Sequence, residues 1–301
     1  MRLLSKIKNS LFFRMVAYYK RKSTPKNMIP AALVHVWSKV CGEGTAFDFN
    51  HPKTYTQKIQ WLKINDALPI KSDLTDKVKV RDWVKEQIGE QYLIPIIGIY
   101  DCFEDIDFNS LPNSFVIKMN HGSGWNIVVK DKTNFDIKKA RKKIKRWERL
   151  DFSYWGYFEM HYSSITPKII IEKYIEDSTG KLNDYKFLAF DGDVKYCWMD
   201  FDRSDQHRRN VYDLDWNLQP WNQHSFGNYC GKVDKPKNFE EMLRIAKVLA
   251  KGFNHVRVDL YNVDGDIYFG EMTFTNGSGL EKISPSEYDY LLGQMLKLPI
   301  D

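Results

Sequence analysis

Four polar residues, Arg257, Asp259, Glu271 and Thr273, stand in "RVDLYNVDGDIYFGEMTF", two alternating strand-like runs about a turn sequence. Successive strand side chains point to opposite faces. Val256, Val258 and Leu260 therefore share one face, Arg257, Asp259 and Tyr261 the other. Glu271 and Thr273 share a face with Phe269. The turn decides whether the two carboxylates meet. A two-residue Asp264-Gly265 loop puts them on opposite faces. A three-residue loop, Val263-Asp264-Gly265, with Gly265 left-handed in a G1 bulge, changes the parity. Arg257 then lies opposite Glu271, Asp259 is diagonal to it, and all four line one face. Two carboxylates at that range repel and are costly to bury. A cation between them, with Arg257 as counter-charge, removes the cost. Mg²⁺ suits the position because it takes hard oxygen ligands and is usually shared with phosphates. The plain alternative is a surface hairpin with an ordinary Arg–Glu pair.

A second stretch, "FVIKMNHGSGWNIVV", runs from a strand ending near Lys118 through a glycine-rich loop into another strand. Such glycines let backbone N–H groups close around an anion, and Lys118 adds a point charge. G-x-x-x-x-G-K-[ST] is absent and no helix follows, so neither a Walker loop nor a dinucleotide fingerprint is present. Many hairpins share this pattern. Downstream, "IIIEKYIED" is an apolar strand entering a polar segment. Its backbone suits an adenine edge, with Glu176 or Asp177 within reach of ribose hydroxyls; a core strand that simply ends reads the same way.

The elements that position these residues follow from periodicity. A helix is expected from about Thr54. Another is expected over 74–91, with an apolar stripe of Val78, Val80, Trp83, Val84 and Ile88 and Gly89 at its C-terminus. "NFDIKKARKKIKRWERL" reads as a helix with one apolar side and a solvated basic face. "KNFEEMLRIAKVLAKGF" is a helix with Asn238 as candidate N-cap. Strand pairs around Asp191-Gly192 and Asp264-Gly265 complete an α+β chain with mainly antiparallel sheets. Two Asp-Gly-Asp strings, 191–193 and 264–266, could hold a metal and a nucleotide sugar, but Asp-Gly between strands is the expected hairpin turn. A loop-rich segment, 203–233, combines Arg203, Arg208, Trp216 and Trp221, residues suited to stacking on a sugar and pairing with its carboxylate.

Composition limits the rest. The 301 residues are 43% hydrophobic and 15% aromatic, enough for a large core and against disorder. The net charge of +6 favours an anionic partner without choosing one. No nucleic-acid module accompanies the basic helix, and none is expected as partner. The four cysteines lack metal spacing and read as reduced thiols of a cytoplasmic protein. No apolar run is long enough to cross a bilayer. The N-terminal "MRLLSKIKNSLFFRMVAYYKRK" is basic and amphipathic: either a first helix on the body, or a helix lying on the inner face of the membrane.

A lysine after an apolar strand, a Gly-rich flap, an E-x-Y-I-E hinge strand and a late R-x-D…E-x-T pair resemble, in this order, the ATP-grasp superfamily. "NHGSGWNIVVKDK", "DYKFLAFDGDVKY" and "VRVDLYNVDGDIYFGEMTFTNGSG" are similar to the TupA-like ATP-grasp proteins, which are named for a teichuronopeptide synthesis protein and found with bacterial surface-polysaccharide genes. The likeness runs from about Thr75 to Ser284. It implies an ATP-grasp fold: two α+β subdomains clamping ATP between mainly antiparallel sheets, behind a helical N-terminal extension. The expected boundaries are 1–73 for the extension, 74–178 for the flap-bearing subdomain and 179–301 for the metal-binding one. The resemblance further implies that Lys118 contacts ATP phosphates, with His121, Gly122, Ser123, Gly124 and Trp125 as the flap. Glu172, Lys173, Tyr174 and Ile175 would be the adenine hinge, and Glu176 or Asp177 the ribose contact. Lys186 would be a second basic contact, Asp259 and Glu271 would hold Mg²⁺, and Arg257 would stabilise charge on the transferred phosphoryl group. Thr273 stands where the superfamily usually has Asn and would be a third metal ligand, its hydroxyl weaker than an amide carbonyl. The implied activity is an ATP- and Mg²⁺-dependent carboxylate–amine ligase. Its acceptor would be an acidic sugar or polysaccharide and its amine an amino acid. A glycosyltransferase of polysaccharide synthesis is the alternative.

Overall fold

The computed structural model describes residues 11–42, 45–180, 182–201, 208–223 and 227–300. Three helices lead in: α1 (Leu11–Lys22), α2 (Ile29–Val40) and α3 (Tyr55–Asn65). Thr54 caps α3 in a reciprocal capping box with Gln57, as the Thr-x-x-Gln spacing requires.

The expected helix over 74–91 is split into α4 (Pro69–Thr75) and α5 (Val80–Ile88). Asp76 breaks it. Its backbone is extended and its carboxylate accepts from Val78 N at 2.8 Å and from Asn120 Nδ2 at 3.0 Å. A tertiary tie to the loop after Met119 thus overrides local helix preference.

One sheet has four strands in the order β1-β4-β2-β3: β1 (Ile96–Tyr100), β4 (Ile169–Lys173), β2 (Phe115–Met119) and β3 (Asn126–Val129). The continuous apolar run of β4 fits its place inside the sheet, paired antiparallel on both sides. Phe115, Ile117, Ile169 and Ile171 pack beneath α6 (Ile137–Glu148), which contributes Ala140, Ile144 and Trp147. The short helix α7 (Phe152–Trp155) adds Phe152 to the same core.

The second sheet has the order β10-β9-β5-β6-β7: β5 (Asn183–Phe190), β6 (Asp193–Phe201), β7 (Arg208–Tyr212), β9 (His255–Val263) and β10 (Asp266–Thr273); the two-residue strands β8 (Asn222–Gln223) and β11 (Ile283–Ser284) pair separately. Tyr185, Phe187, Val256, Val258 and Leu260 lie under α8 (Phe239–Ala250). The opposite face is divided. Leu188, Phe190 and Trp198 pack on α3 and α9 (Glu287–Met295), whereas Asp184, Lys186, Asp200, Arg257 and Asp259 form a buried charged field.

The cores do not follow the expected boundaries. Leu74, Val80, Val84, Ile88 and Leu93 join the core of the second sheet, and α3 packs against α9 near the other end of the chain. Apolar stripes are satisfied by whichever surface is nearest in space. Helix α3 and residues 74–93 therefore pack with the C-terminal sheet, whereas Tyr18 of α1 joins the core of the first sheet. Asn238 makes no side-chain cap; its amide donates to Gly265 O and its Oδ1 accepts from Asn262, tying α8 to the β9–β10 turn.

Candidate active site

The β9–β10 hairpin brings Asp259 and Glu271 together by a route the turn alone does not show. The loop is the two-residue one, with Asp264 at φ 52° and Gly265 at φ 108°. Asp266 pairs with Val263, and regular pairing continues to Phe269 opposite Leu260. The register then shifts at Gly270, so Glu271 faces Asp259 and Thr273 faces Arg257. The expected G1 bulge at Gly265 is thus replaced by a bulge mid-strand. The expected Arg257–Glu271 register is corrected by one pair. A bulge restores parity wherever it falls along the strand. A Cβ at Gly270 would stand 3.0 Å from the Asp259 carbonyl oxygen, so glycine suits that place.

Asp259 is 2% exposed and fully engaged. Arg257 Nε donates to its Oδ1 and Nη2 to its Oδ2, each at 2.7 Å. Lys186, paired across the strands with Asp259, donates to Oδ2 at 2.6 Å and to Asp184 Oδ2 at 2.5 Å. Asp259 is therefore a salt-bridge partner in this arrangement rather than an open metal ligand. Thr273 is also committed: its hydroxyl donates to Glu271 Oε1 at 3.0 Å and accepts from Arg257 Nη2 at 3.1 Å. Burial disfavours the Arg257 guanidinium, but Asp259 and Glu271 outweigh it and hold the charge firmly.

Glu271 differs from Asp259. Its side chain is 33% exposed. Burial pushes its carboxyl up, yet Lys77, Arg257 and Lys186 outweigh that and hold it at about 2. The β5–β7 side extends the field: Arg209 clamps Asp200 through Nε at 2.6 Å and Nη2 at 3.0 Å.

Across from this hairpin, the cavity between the two sheets has a volume of about 480 Å³. Lys118, Asn126 and Lys130 line it from β2 and β3, Glu172 to Ile175 from the end of β4, and Asn183 and Tyr261 from the second sheet. Lys118 Nζ lies 2.5 Å from Glu172 Oε2, with Arg81 Nη1 3.4 Å from the other oxygen. Strand β4 ends at Lys173, so Tyr174 and Ile175 run along the cavity beyond the sheet ladder. Lys77 Nζ donates to Gly122 O at 2.8 Å. Burial lowers its pKa; Glu271 and Glu172 oppose that and Lys118 adds to it.

The profile of the TupA-like ATP-grasp family matches residues 57–297. The chain belongs to the TupA-like ATP-grasp family. Its fold is the ATP-grasp fold, mixed helix and antiparallel sheet behind an N-terminal helical stretch. No curated protein sequence matches the chain. Among solved structures it is similar to D-alanine–D-alanine ligase from Bacillus anthracis complexed with ATP. That match has 18% identity and a TM-score of 0.42, over 68% of this chain and 56% of that one. It is similar also to an L-amino acid ligase from Bacillus licheniformis, at 14% identity and TM-score 0.46, over 80% and 55%. The ATP-grasp ligase PsnB with Mg and ADP gives 10% and 0.42, over 80% and 66%. The chain spans little more than half the length of the D-alanine–D-alanine ligase.

In this TupA-like protein the glycine-rich loop is split between packing and exposure. His121 is buried, its ring within hydrogen-bond distance of Trp147 O and Asn120 Oδ1. Trp125 is 5% exposed and sits in the core with Trp147 and Phe152. These two anchor the loop; Ser123 and Gly124 form its exposed tip. Glu176 accepts from Tyr174 Oη at 2.5 Å and Lys130 Nζ at 3.1 Å, while Asp177 accepts from Thr179.

Two expected acceptor contacts are corrected. Trp216 stacks on Tyr212 at 4.3 Å and donates to Val233 O. Trp221 is 2% exposed between Trp198 and Tyr288. Arg208 begins β7 at the sheet edge, and Arg203 lies outside the described residues. Asp191 and Gly192 have φ 51° and 77°, so both Asp-Gly-Asp strings are hairpin turns.

Sequence reasoning missed Lys77, Asp184, Asp200 and the role of Arg209. Asp184 and Lys186 share a strand face by parity, a readable signal. Lys77 sits at a helix break and carries none.

Among the described residues no group of three or more His, Cys, Asp or Glu could hold a metal ion. A magnesium ion needs only one or two carboxylates when phosphates and water complete its shell. Glu271, partly exposed and ionised, fits that limited role.

Proposed function

We propose that this protein is an ATP- and Mg²⁺-dependent carboxylate–amine ligase acting in bacterial surface-polysaccharide synthesis. The observation that carries the reading is the cavity between the sheets, walled by the β4 exit and Lys118. The backbone at Tyr174 and Ile175 would meet the adenine edge. Lys118 and Lys77 would hold phosphates, and Glu271 would hold the metal, which neutralises charge on them when bound. Arg257, fixed by Asp259, would face the transferred phosphoryl group.

A carboxylate oxygen of the acceptor attacks the γ-phosphorus and ADP leaves. An amine nitrogen then attacks the acyl carbon, phosphate leaves, and the nitrogen gives up a proton as the amide forms. The family resemblance favours an acidic sugar unit as acceptor and an amino acid as amine. Arg208 is the remaining described candidate for the acceptor carboxylate.

The test is calorimetric ATP titration with and without Mg²⁺, followed by incubation with uronic acids and hydroxylamine. The reading expects Mg²⁺-dependent ATP binding, about tenfold or more weaker in Glu271→Gln, and a hydroxamate that forms only with ATP. Binding of a nucleotide sugar in place of ATP would transfer the protein to the glycosyltransferase class.

A further inference from the structure

Helix α1 packs on the body through Tyr18, 1% exposed, and the half-buried Met15. Two of its arginines also stack on aromatic rings of the body. Arg14 lies 4.4 Å from the Trp155 ring and Arg21 4.3 Å from the Tyr157 ring, and Arg21 Nε also donates to Tyr154 O at 2.5 Å. The outward side carries Phe12, Val16 and Tyr19, which are 70%, 52% and 59% exposed. Residues 12, 16 and 19 recur at helical spacing and form one stripe. The helix thus carries a second apolar side that its packing on the body does not use.

The charge around the stripe has one sign. Residues 1–42 contain nine Lys or Arg and no Asp or Glu, whereas the remaining 259 hold 36 basic against 39 acidic residues. The whole net positive charge thus resides in the N-terminal segment. Lys20 stands beside the stripe on α1, and Lys22 and Lys26 follow at its C-terminal end.

We propose that α1 is the docking element for an anionic lipid bilayer, with Phe12, Val16 and Tyr19 inserted at the headgroup boundary and Lys20, Lys22 and Lys26 on the lipid phosphates. Apolar insertion and basic attraction together give surface binding that neither gives alone. Tyr18, Met15 and the cation–π stacking of Arg14 and Arg21 hold the helix to the body while the stripe faces outward. No helix among the described residues is long and apolar enough to cross a membrane, so contact would be at the surface. An acidic polymer or nucleic acid would account for the lysines but not for three exposed apolar side chains in line.

The test is vesicle flotation of the full chain at physiological salt. Vesicles of phosphatidylcholine alone are compared with vesicles containing one part in four phosphatidylglycerol. Phe12→Asp/Val16→Asp and Lys20→Glu/Lys22→Glu are examined alongside the wild type, with the thermal midpoint of each confirming an intact body. The expected result is preference for the anionic vesicles by about tenfold or more, and a loss of similar size in each double variant. Equal binding to both vesicle types, or none, overturns the proposal. So does normal binding by Phe12→Asp/Val16→Asp, which would mean adsorption by charge alone. A wild-type dimer that this variant dissolves, without vesicle binding, would assign the stripe to a second copy of the chain. None of these outcomes depends on nucleotide binding.

Discussion

At the residue scale, the site separates two carboxylates that look equivalent in sequence. Asp259 is closed by Arg257 and Lys186, whereas Glu271 is one-third exposed. Removing one member of a buried charge cluster strands the others. Lys186→Met leaves Asp184 and Asp259 without their shared ammonium and should lower stability by about 3 kcal/mol or more, read from the urea midpoint. Adding Asp184→Asn should recover part of the loss; no recovery would show that the two charges are not coupled through Lys186. His255 gives a pH signature. It is fully buried, with Nε2 3.0 Å from Tyr55 Oη and Nδ1 3.0 Å from Phe274 O. Burial first, then Lys71, pushes its pKa from 6.5 down to about 3. The unfolded chain takes up this proton below about pH 6.5 and the native state only near 3. This contribution is complete above 6.5 and is lost as pH falls through that window, by at most about 1.4 kcal/mol per pH unit. His161, also held at about 3 chiefly by burial, acts in the same direction. Denaturant midpoints from pH 7 to 4 should fall, and fall less steeply in His255→Gln; an unchanged slope would remove His255 as a source.

At the element scale, the mid-strand bulge decides which residues reach the site. Without it, Glu271 would lie opposite Val258 and point under α8. Gly270 permits the bulge because a Cβ there would crowd the Asp259 carbonyl oxygen at 3.0 Å and the Tyr261 ring at 3.3 Å. Gly270→Val should therefore cost about 1–3 kcal/mol of stability. Because the strain falls beside Asp259 and Glu271, it should weaken Mg²⁺-dependent ATP binding as well. Full stability with unaltered binding would show that the strand tolerates a side chain there. Capping was legible in the same region of the chain where the helix break was not. Thr54 and Gln57 declare the start of α3 locally, whereas α4 and α5 are separated because Asp76 bonds to Asn120, 44 positions away.

At the scale of the molecule, the cavity takes walls from both sheets. A ligand held there binds the folded chain and not the unfolded one. Saturation at about one hundred times the dissociation constant should add about 2.7 kcal/mol to stability. Thermal scans with Mg²⁺ and ATP should show a higher midpoint in one cooperative transition. A shift produced by a nucleotide sugar and not by ATP would contradict the ligase reading.

The sequence by itself determined what local pattern can encode: an α+β chain, most strand and helix positions, two Asp-Gly turns and the identities of Lys118, Arg257, Asp259 and Glu271. The order of its motifs also carried the family. The tertiary structure alone decided how these parts are used. It placed residues 74–93 and α3 on the C-terminal sheet, because an apolar stripe does not name its partner. It buried Trp221, His121 and Trp125 and stacked the half-buried Trp216 on Tyr212, because an aromatic residue suits a core as well as a ligand. It tied Lys77 to Gly122, 45 positions away, because the fold closed there across a gap in sequence that no periodicity spans.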